Sequence, residues 1–220
     1  MGGAAQTPAS TPDQWASLPK YQQANADLPP PAAGKKRVVF FGDSITEAWA
    51  LDKNFFPGKS YLDRGINGQT TTQMLVCFRQ DVIRLHPAVV VILAGTSDIA
   101  ENLGPTSLQA IEDNLQSMAE LATANGIRPV LCSLLPALDY PWRRGLNPPE
   151  KIAALNHWIE KYCARAGLVY LNYFPALVDA HQGMRSEFTQ DGVHPNSAGY
   201  AVMMPMAEEA IRKALHGSRQ

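Results

Sequence analysis

The sequence has almost no cysteine: Cys77, Cys132 and Cys163 are the only three in 220 residues, with no Cys-x-x-Cys spacing. That argues against a zinc knuckle and allows at most one disulfide within the chain. All three fall in candidate core elements, where cysteine behaves as a small hydrophobe. Charge of one sign is also missing, since 19 Lys and Arg face 20 Asp and Glu. Nucleic acid or an anionic membrane would call for a basic face, so neither is an expected partner. Long apolar runs are absent as well. The stretch Ala88 to Ala94 falls far short of the roughly 20 residues that span a bilayer. No cluster of His, Cys and carboxylates carries metal-ligand spacing, so neither metal nor cofactor is expected.

The amino end has no basic n-region and no apolar h-region. It does not fit the myristoylation pattern either, because Gln6 stands where Ser or Thr is required. Gly3 to Ser10 is nevertheless small and polar, like the residues around a leader cleavage site. Two settings stay open: an exported protein, periplasmic or secreted, whose leader was replaced by a start Met, and a cytoplasmic protein with a ragged start.

What is present is an alternation of strand and helix patterns in a chain sized for one domain. Residues 1 to 12 are expected to be disordered. From Pro12 a short helix would place Trp15, Leu18 and Tyr21 on one face, more suited to packing on a sheet edge than to binding sugar. Pro29-Pro30-Pro31 ends it. Residues 1–36 thus read as a tail, short helix and Pro-rich linker, and 37–216 as the catalytic domain. Strands are expected at 37–41, 61–66, 88–94, 128–133 and 168–171. Helical stripes lie between them: Thr70 to about Leu85, Leu108 to Ala122, and Ile152 to Tyr162. A last helix falls between Asn196 and His216, with Pro205 expected to kink it or delay its start. Strands separated by helices imply a parallel sheet covered on both faces, here a five-stranded, flavodoxin-like three-layer α/β/α sandwich. In such sheets the ligand site lies beyond the carboxyl ends of the strands.

Four polar clusters pass that test: Gly42-Asp43-Ser44-Ile45-Thr46-Glu47, Asn67-Gly68-Gln69-Thr70, Gly95-Thr96-Ser97-Asp98 and Asp191-Gly192-Val193-His194-Pro195. Acyl transfer needs a nucleophile, a base, a group to orient the base and donors for the oxyanion. Ser44 sits at a strand-to-helix turn that exposes its Oγ. His194 is of the one residue type suited to proton transfer near neutral pH. Asp191, three residues earlier, can reach the imidazole across one tight turn. Gly68 has no side chain to mask its N–H. Asp43 and Asp98 read as structural, bracing their loops against backbone N–H groups. The elbow of α/β-hydrolases, G-x-S-x-G, is not met, because Thr46 occupies its last position.

These blocks resemble those of the GDSL/SGNH hydrolase family over about residues 37 to 215. Gly42-Asp43-Ser44-Ile45 is similar to the family's first block, Gly65 to Thr71 to its second, and Asp191 to Asn196 to its last. The resemblance implies a small-molecule ester substrate, a Ser44–His194–Asp191 triad, an acyl-enzyme, no metal, and an oxyanion hole that includes the Ser44 and Gly68 N–H groups. The third block departs: Ser97 stands where the family has the Asn that supplies a third oxyanion donor. A second reading therefore stays open, a binding module on the same fold whose catalysis has weakened.

The loop Leu135 to Gly145 is long for a strand-to-helix connection and lies at the same rim. Tyr140, Trp142 and Arg143 are substrate-binding candidates there, with Arg144 a further cation; a self-packed surface loop is the equal alternative. Of the other histidines, His86 and His216 read as surface residues, His157 as half-buried on a helix margin, and His181 as lying in a helix's last turn.

Overall fold

The computed structural model describes residues 11–32 and 34–217. Of the disorder expected over residues 1–12, residues 1–10 and their cleavage-site stretch lie outside the described residues, whereas Thr11 and Pro12 are ordered as the N-cap and first residue of the first helix. In chain order the elements are α1 (Pro12–Trp15), α2 (Pro19–Ala26), β1 (Val38–Gly42), α3 (Ser44–Leu51), β2 (Tyr61–Gly65), α4 (Thr71–Asp81), β3 (Val89–Leu93), α5 (Thr96–Ile99), α6 (Leu108–Ala124), β4 (Arg128–Cys132), α7 (Pro148–Ala166), β5 (Val169–Leu171), α8 (Phe174–Leu177) and α9 (Ser197–His216). The sheet is five-stranded, all parallel, in the order β2-β1-β3-β4-β5. This is the three-layer sandwich that the alternating pattern implied.

Strand side chains alternate between two cores because the pleat has a period of two. Val39, Phe41, Val90, Ile92 and Leu131 face a core shared with Met74 and Phe78 of α4, Ile111 and Leu115 of α6, and Ile152 and Leu155 of α7. Val38, Phe40, Val89, Val91 and Leu93 face the other, with Ile45 and Trp49 of α3 and Tyr200, Met203 and Ile211 of α9. Each such side chain contributes about 1.5–3 kcal/mol on full burial. Two covered faces also explain why β1 and β3 are continuous apolar runs rather than alternating ones. No helix among the described residues is long and apolar enough to cross a membrane.

Five expectations about local structure are corrected. Ser17 takes a left-handed φ of 61°, which breaks the first helix in two. Tyr21 reaches the edge strand, donating its hydroxyl to the Gly65 carbonyl, while Trp15 stays 38% exposed. The fourth helix ends at Asp81, and a short 3₁₀ turn, Ile83–Leu85, completes the segment. Pro205 neither delays nor ends α9. Proline removes the hydrogen bond to the carbonyl four residues earlier and crowds that carbonyl with its ring, but Ala201 and Pro205 both lie on the solvent side, where the carbonyl can tilt outward and water can serve it. His157 is exposed rather than half-buried, and His181 sits in the turn after α8 rather than in a helix. The three cysteines are free and buried.

Candidate active site

Ser44 is the first residue of α3, immediately beyond β1. Asp43 caps that helix, its Oδ1 accepting the Ile45 N–H at 3.0 Å. The helix can start this close to the sheet because β2 ends in glycine. A Cβ on Gly65 would lie 2.2 Å from the Glu47 nitrogen and 2.9 Å from the Asp43 carbonyl oxygen. Ser44 is thereby held half-buried at the carboxyl edge of the sheet, in the positive field of a helix N-terminus.

The Ser44 Oγ lies 2.8 Å from His194 Nε2, and His194 Nδ1 lies 2.6 Å from Asp191 Oδ2. The turn joining the last two residues is built around the other carboxylate oxygen. Asp191 Oδ1 accepts the N–H groups of Val193 at 2.9 Å and of His194 at 2.8 Å. Thr189 closes the turn: its hydroxyl accepts the Gly192 N–H at 3.0 Å and donates to the His194 carbonyl at 2.7 Å. Burial alone would raise the Asp191 pKa, but hydrogen bonds from the His194 ring, the His194 N–H and the Val193 N–H outweigh it and hold the carboxyl below its usual range. An ionised Asp191 accepts a hydrogen bond from the Nδ1–H, which fixes the tautomer that leaves Nε2 with a lone pair to accept the Ser44 hydroxyl.

Gly68 follows β2 in a turn where its φ is 74°, a conformation open to glycine without strain. That turn is tied to α3, since Glu47 Oε2 accepts the Asn67 N–H at 2.6 Å while Oε1 pairs with Lys20 at 2.6 Å. Neither the Ser44 N–H nor the Gly68 N–H has a hydrogen-bond partner among the described residues. Ser97 lies in α5, the short helix after β3, 3% exposed, and its Oγ bonds to nothing described.

Asp98 braces its loop as expected, accepting the Thr71 N–H at 2.9 Å and the Thr71 hydroxyl at 2.7 Å; burial raises its pKa. Asp43 is fully buried, and loss of solvent pushes its pKa up to about 6 despite the Ile45 N–H. With Oδ1 committed to the helix cap, it is placed as a structural group beneath the nucleophile rather than as a base.

The loop after β4 divides its aromatics. Tyr140 is fully buried and packs, its ring tilted by 36°, at 5.4 Å from that of Trp142. Trp142 is 47% exposed, with its ring 5.8 Å from that of His194. Arg143 is turned away to an ion pair with Glu101 at 2.9 Å. Arg144 joins Leu138, Pro141 and Met184 in lining a cavity of about 220 Å³ that reaches Asp191. Neither Ser44 nor His194 lines that cavity.

Thr189, Glu47 and Asn102 were not singled out in the sequence. Glu47 sits three residues after Ser44, an offset shared by ordinary helix-start carboxylates. Asn102 contacts both Gly68 and Trp142 across gaps of 34 and 40 residues, which no local pattern encodes.

With this geometry in view, the comparisons with known proteins are specific. The model of the GDSL-like lipase/acylhydrolase family matches residues 40–202. The crystal structure of a GDSL-like lipase from Bacteroides thetaiotaomicron is 44% identical, covers 91% of this chain and 100% of that one, and superposes with a TM-score of 0.89. An acetylxylan esterase from Geobacillus stearothermophilus shares the fold at 14% identity, over 87% of this chain and 99% of that one, with a TM-score of 0.63. An uncharacterized lipoprotein of Bacillus subtilis, YqeF, is 30% identical over 124 residues, 48% of this chain and 51% of that protein. That match spans only about half of either sequence.

Proposed function

The chain belongs to the GDSL-like lipase/acylhydrolase family, and on that premise we propose that it hydrolyses carboxylic esters of short acyl groups through a Ser44–His194–Asp191 triad. The observation that carries this reading is the unbroken run of contacts from Ser44 Oγ to His194 Nε2 and from His194 Nδ1 to Asp191 Oδ2, at 2.8 and 2.6 Å. Ser44 Oγ attacks the ester carbonyl carbon as His194 Nε2 takes its proton. The tetrahedral oxyanion is held by the free N–H groups of Ser44 and Gly68, near the N-terminus of α3. Collapse expels the alcohol, which receives the proton from His194. Water, deprotonated by the same imidazole, then releases the acid from Ser44.

The acyl group is short in this proposal. Trp142 stands beside His194, and among the described residues no amphipathic insertion offers the interfacial surface of a lipase. An acetyl group on carbohydrate fits, and an exported setting is consistent with the likeness to a lipoprotein. The domain assignment, residues 37–216 as the catalytic unit after a tail, helix and linker, belongs to the same proposal.

A panel of p-nitrophenyl esters from acetate to octanoate tests it, together with acetylated sugars and a fluorophosphonate probe. Acetyl esters should turn over fastest and Ser44 should be labelled stoichiometrically. Absence of both turnover and labelling would favour the second reading, a weakened binding module, which rests on Ser97.

Ser97 itself gives a sharper expectation. Serine carries its donor on a single-carbon stem, whereas asparagine carries an N–H₂ one bond further out. The two cannot place a donor at the same point, so Ser97 is the weak third member of the oxyanion hole. Removing one such donor commonly costs about 10² to 10³ in kcat. Ser97→Asn should therefore raise kcat on a short ester, by up to about 10²-fold, with KM nearly unchanged because the gain belongs to the transition state. A variant equal to or slower than the parent would remove Ser97 from the hole.

A further inference from the structure

Between the oxyanion turn and the aromatic wall stands a single side chain, Asn102. Its Nδ2 donates to the Gly68 carbonyl at 3.3 Å, and its Oδ1 accepts the Trp142 indole N–H at 3.0 Å. Its own N–H bonds the Ser97 carbonyl at 3.0 Å. The residue before it, Glu101, holds a left-handed φ of 54°, uncommon for a residue with a side chain. Glu101 also grips the same loop through Arg143 at 2.9 Å. The chain after α5 thus points two consecutive side chains at the loop that carries Trp142. The contacts form a chain: Gly68 to Asn102, Asn102 to Trp142, Trp142 to His194, and His194 to Ser44.

Each end of the bridge matters to a different part of the reaction. Trp142 is 47% exposed, and a half-exposed indole with no tether would sample several rotamers. Hydrogen-bonded at Nε1 and backed by Tyr140 at 5.4 Å, it becomes a fixed wall beside the general base. Gly68 is of the residue type with the least intrinsic backbone restriction, and the Asn102 amide ties its carbonyl at 3.3 Å. A Cβ placed on Gly68 would meet nothing within 4 Å but Asn102 Nδ2, at 3.6 Å, so no other described group restrains that side of the turn.

We propose that Asn102 is a positioning residue that sets acyl-length selectivity through Trp142 and oxyanion-hole geometry through Gly68. The proposal rests on the triad reading above. Asparagine suits the task because one planar amide offers a donor and an acceptor in fixed opposition.

The test compares the parent, Trp142→Phe, Asn102→Leu and the double variant on p-nitrophenyl acetate, butyrate and hexanoate, with melting temperatures alongside. Trp142→Phe removes the indole donor and keeps an aromatic ring. It should raise the hexanoate-to-acetate ratio of kcat/KM by about three- to tenfold, the scale of one neutral hydrogen bond. Asn102→Leu should raise the ratio by the same factor and also lower kcat on acetate about tenfold beyond the loss seen in Trp142→Phe, since it releases Gly68 as well. The double variant should match Asn102→Leu, because the selectivity effect has one route. An unchanged ratio in Asn102→Leu, or ratio effects that multiply in the double variant, overturns the proposal even if melting temperatures fall. The Trp142 indole N–H resonance reads the bridge without turnover and should shift in Asn102→Leu; an unmoved resonance also overturns it. A parent chain that hydrolyses no ester would sink the triad reading, while the indole resonance still decides whether the bridge exists.

Discussion

Ser44→Ala is expected to lower kcat on a short-chain ester by about 10⁴ to 10⁶ while leaving the fold in place. The magnitude follows from losing a member that acts as a unit with its base. With no Oγ there is no atom to form the acyl-enzyme, and the free N–H groups of Ser44 and Gly68 can only polarise the carbonyl for a slow attack by water. The fold should survive because Ser44 contributes little to it. Among the described residues its hydroxyl bonds only to His194, whereas the helix it begins is capped by Asp43 and seated by the buried Ile45 and Trp49. Alanine is also the best helix former for that position. The measurement is steady-state turnover and fluorophosphonate labelling of both proteins, with a melting curve for each. Retention of a tenth of the activity at unchanged melting temperature would mean that another group performs the attack.

The strands around that serine were legible in the sequence to within a residue or two, whereas the helix it begins was given no bounds. Buried on both faces, β1 and β3 had to be continuous runs of Val, Phe, Ile and Leu, and such runs are hard to place elsewhere. The four polar clusters were legible because each follows a strand, the one place where a parallel sheet leaves chemistry exposed. Single-residue decisions were less so. The left-handed Ser17 that splits α1 from α2 is marked in the sequence only by Pro19, which stands at the first position of α2. Pro205 looked like a breaker because its partner carbonyl, on Ala201, could not be assigned to the solvent side without the packing of α9. Nor could composition decide that Tyr140 faces inward while Trp142 faces His194, since both are aromatic and two residues apart in one loop. Asn102, Glu47 and Thr189 act through contacts made by the assembled fold, so their roles emerge only after the strands have brought distant loops together.

Asp191→Asn should cost about 10⁴ in kcat at neutral pH, although the exchange alters little in size or shape. The reason lies in the two oxygens of Asp191. Oδ1 accepts the Val193 and His194 N–H groups at 2.9 and 2.8 Å, so in the variant the amide oxygen must occupy that position. An N–H₂ there would face two donors. The amide nitrogen is therefore forced to the Oδ2 position, 2.6 Å from His194 Nδ1 in the parent, where it can only donate. The imidazole responds by switching tautomer: Nδ1 becomes the acceptor and Nε2 keeps the proton. A protonated Nε2 at 2.8 Å from Ser44 Oγ cannot remove the hydroxyl proton, and a triad with this lesion typically falls about 10⁴-fold with its geometry intact. The pH dependence works the same way. In the parent, the net hydrogen bonding that holds Asp191 below the usual carboxylate range keeps it ionised, and this contribution to stability and activity is lost only as the pH falls through that lowered pKa. The asparagine has no such ionisation, so acid below about pH 4 should narrow the gap between the two proteins' melting temperatures. The decisive measurement is kcat for both proteins at neutral pH, with the imidazole nitrogens observed by NMR. Activity within tenfold of the parent, or an Nδ1-protonated ring in the variant, would show that Asp191 does not set the tautomer of His194.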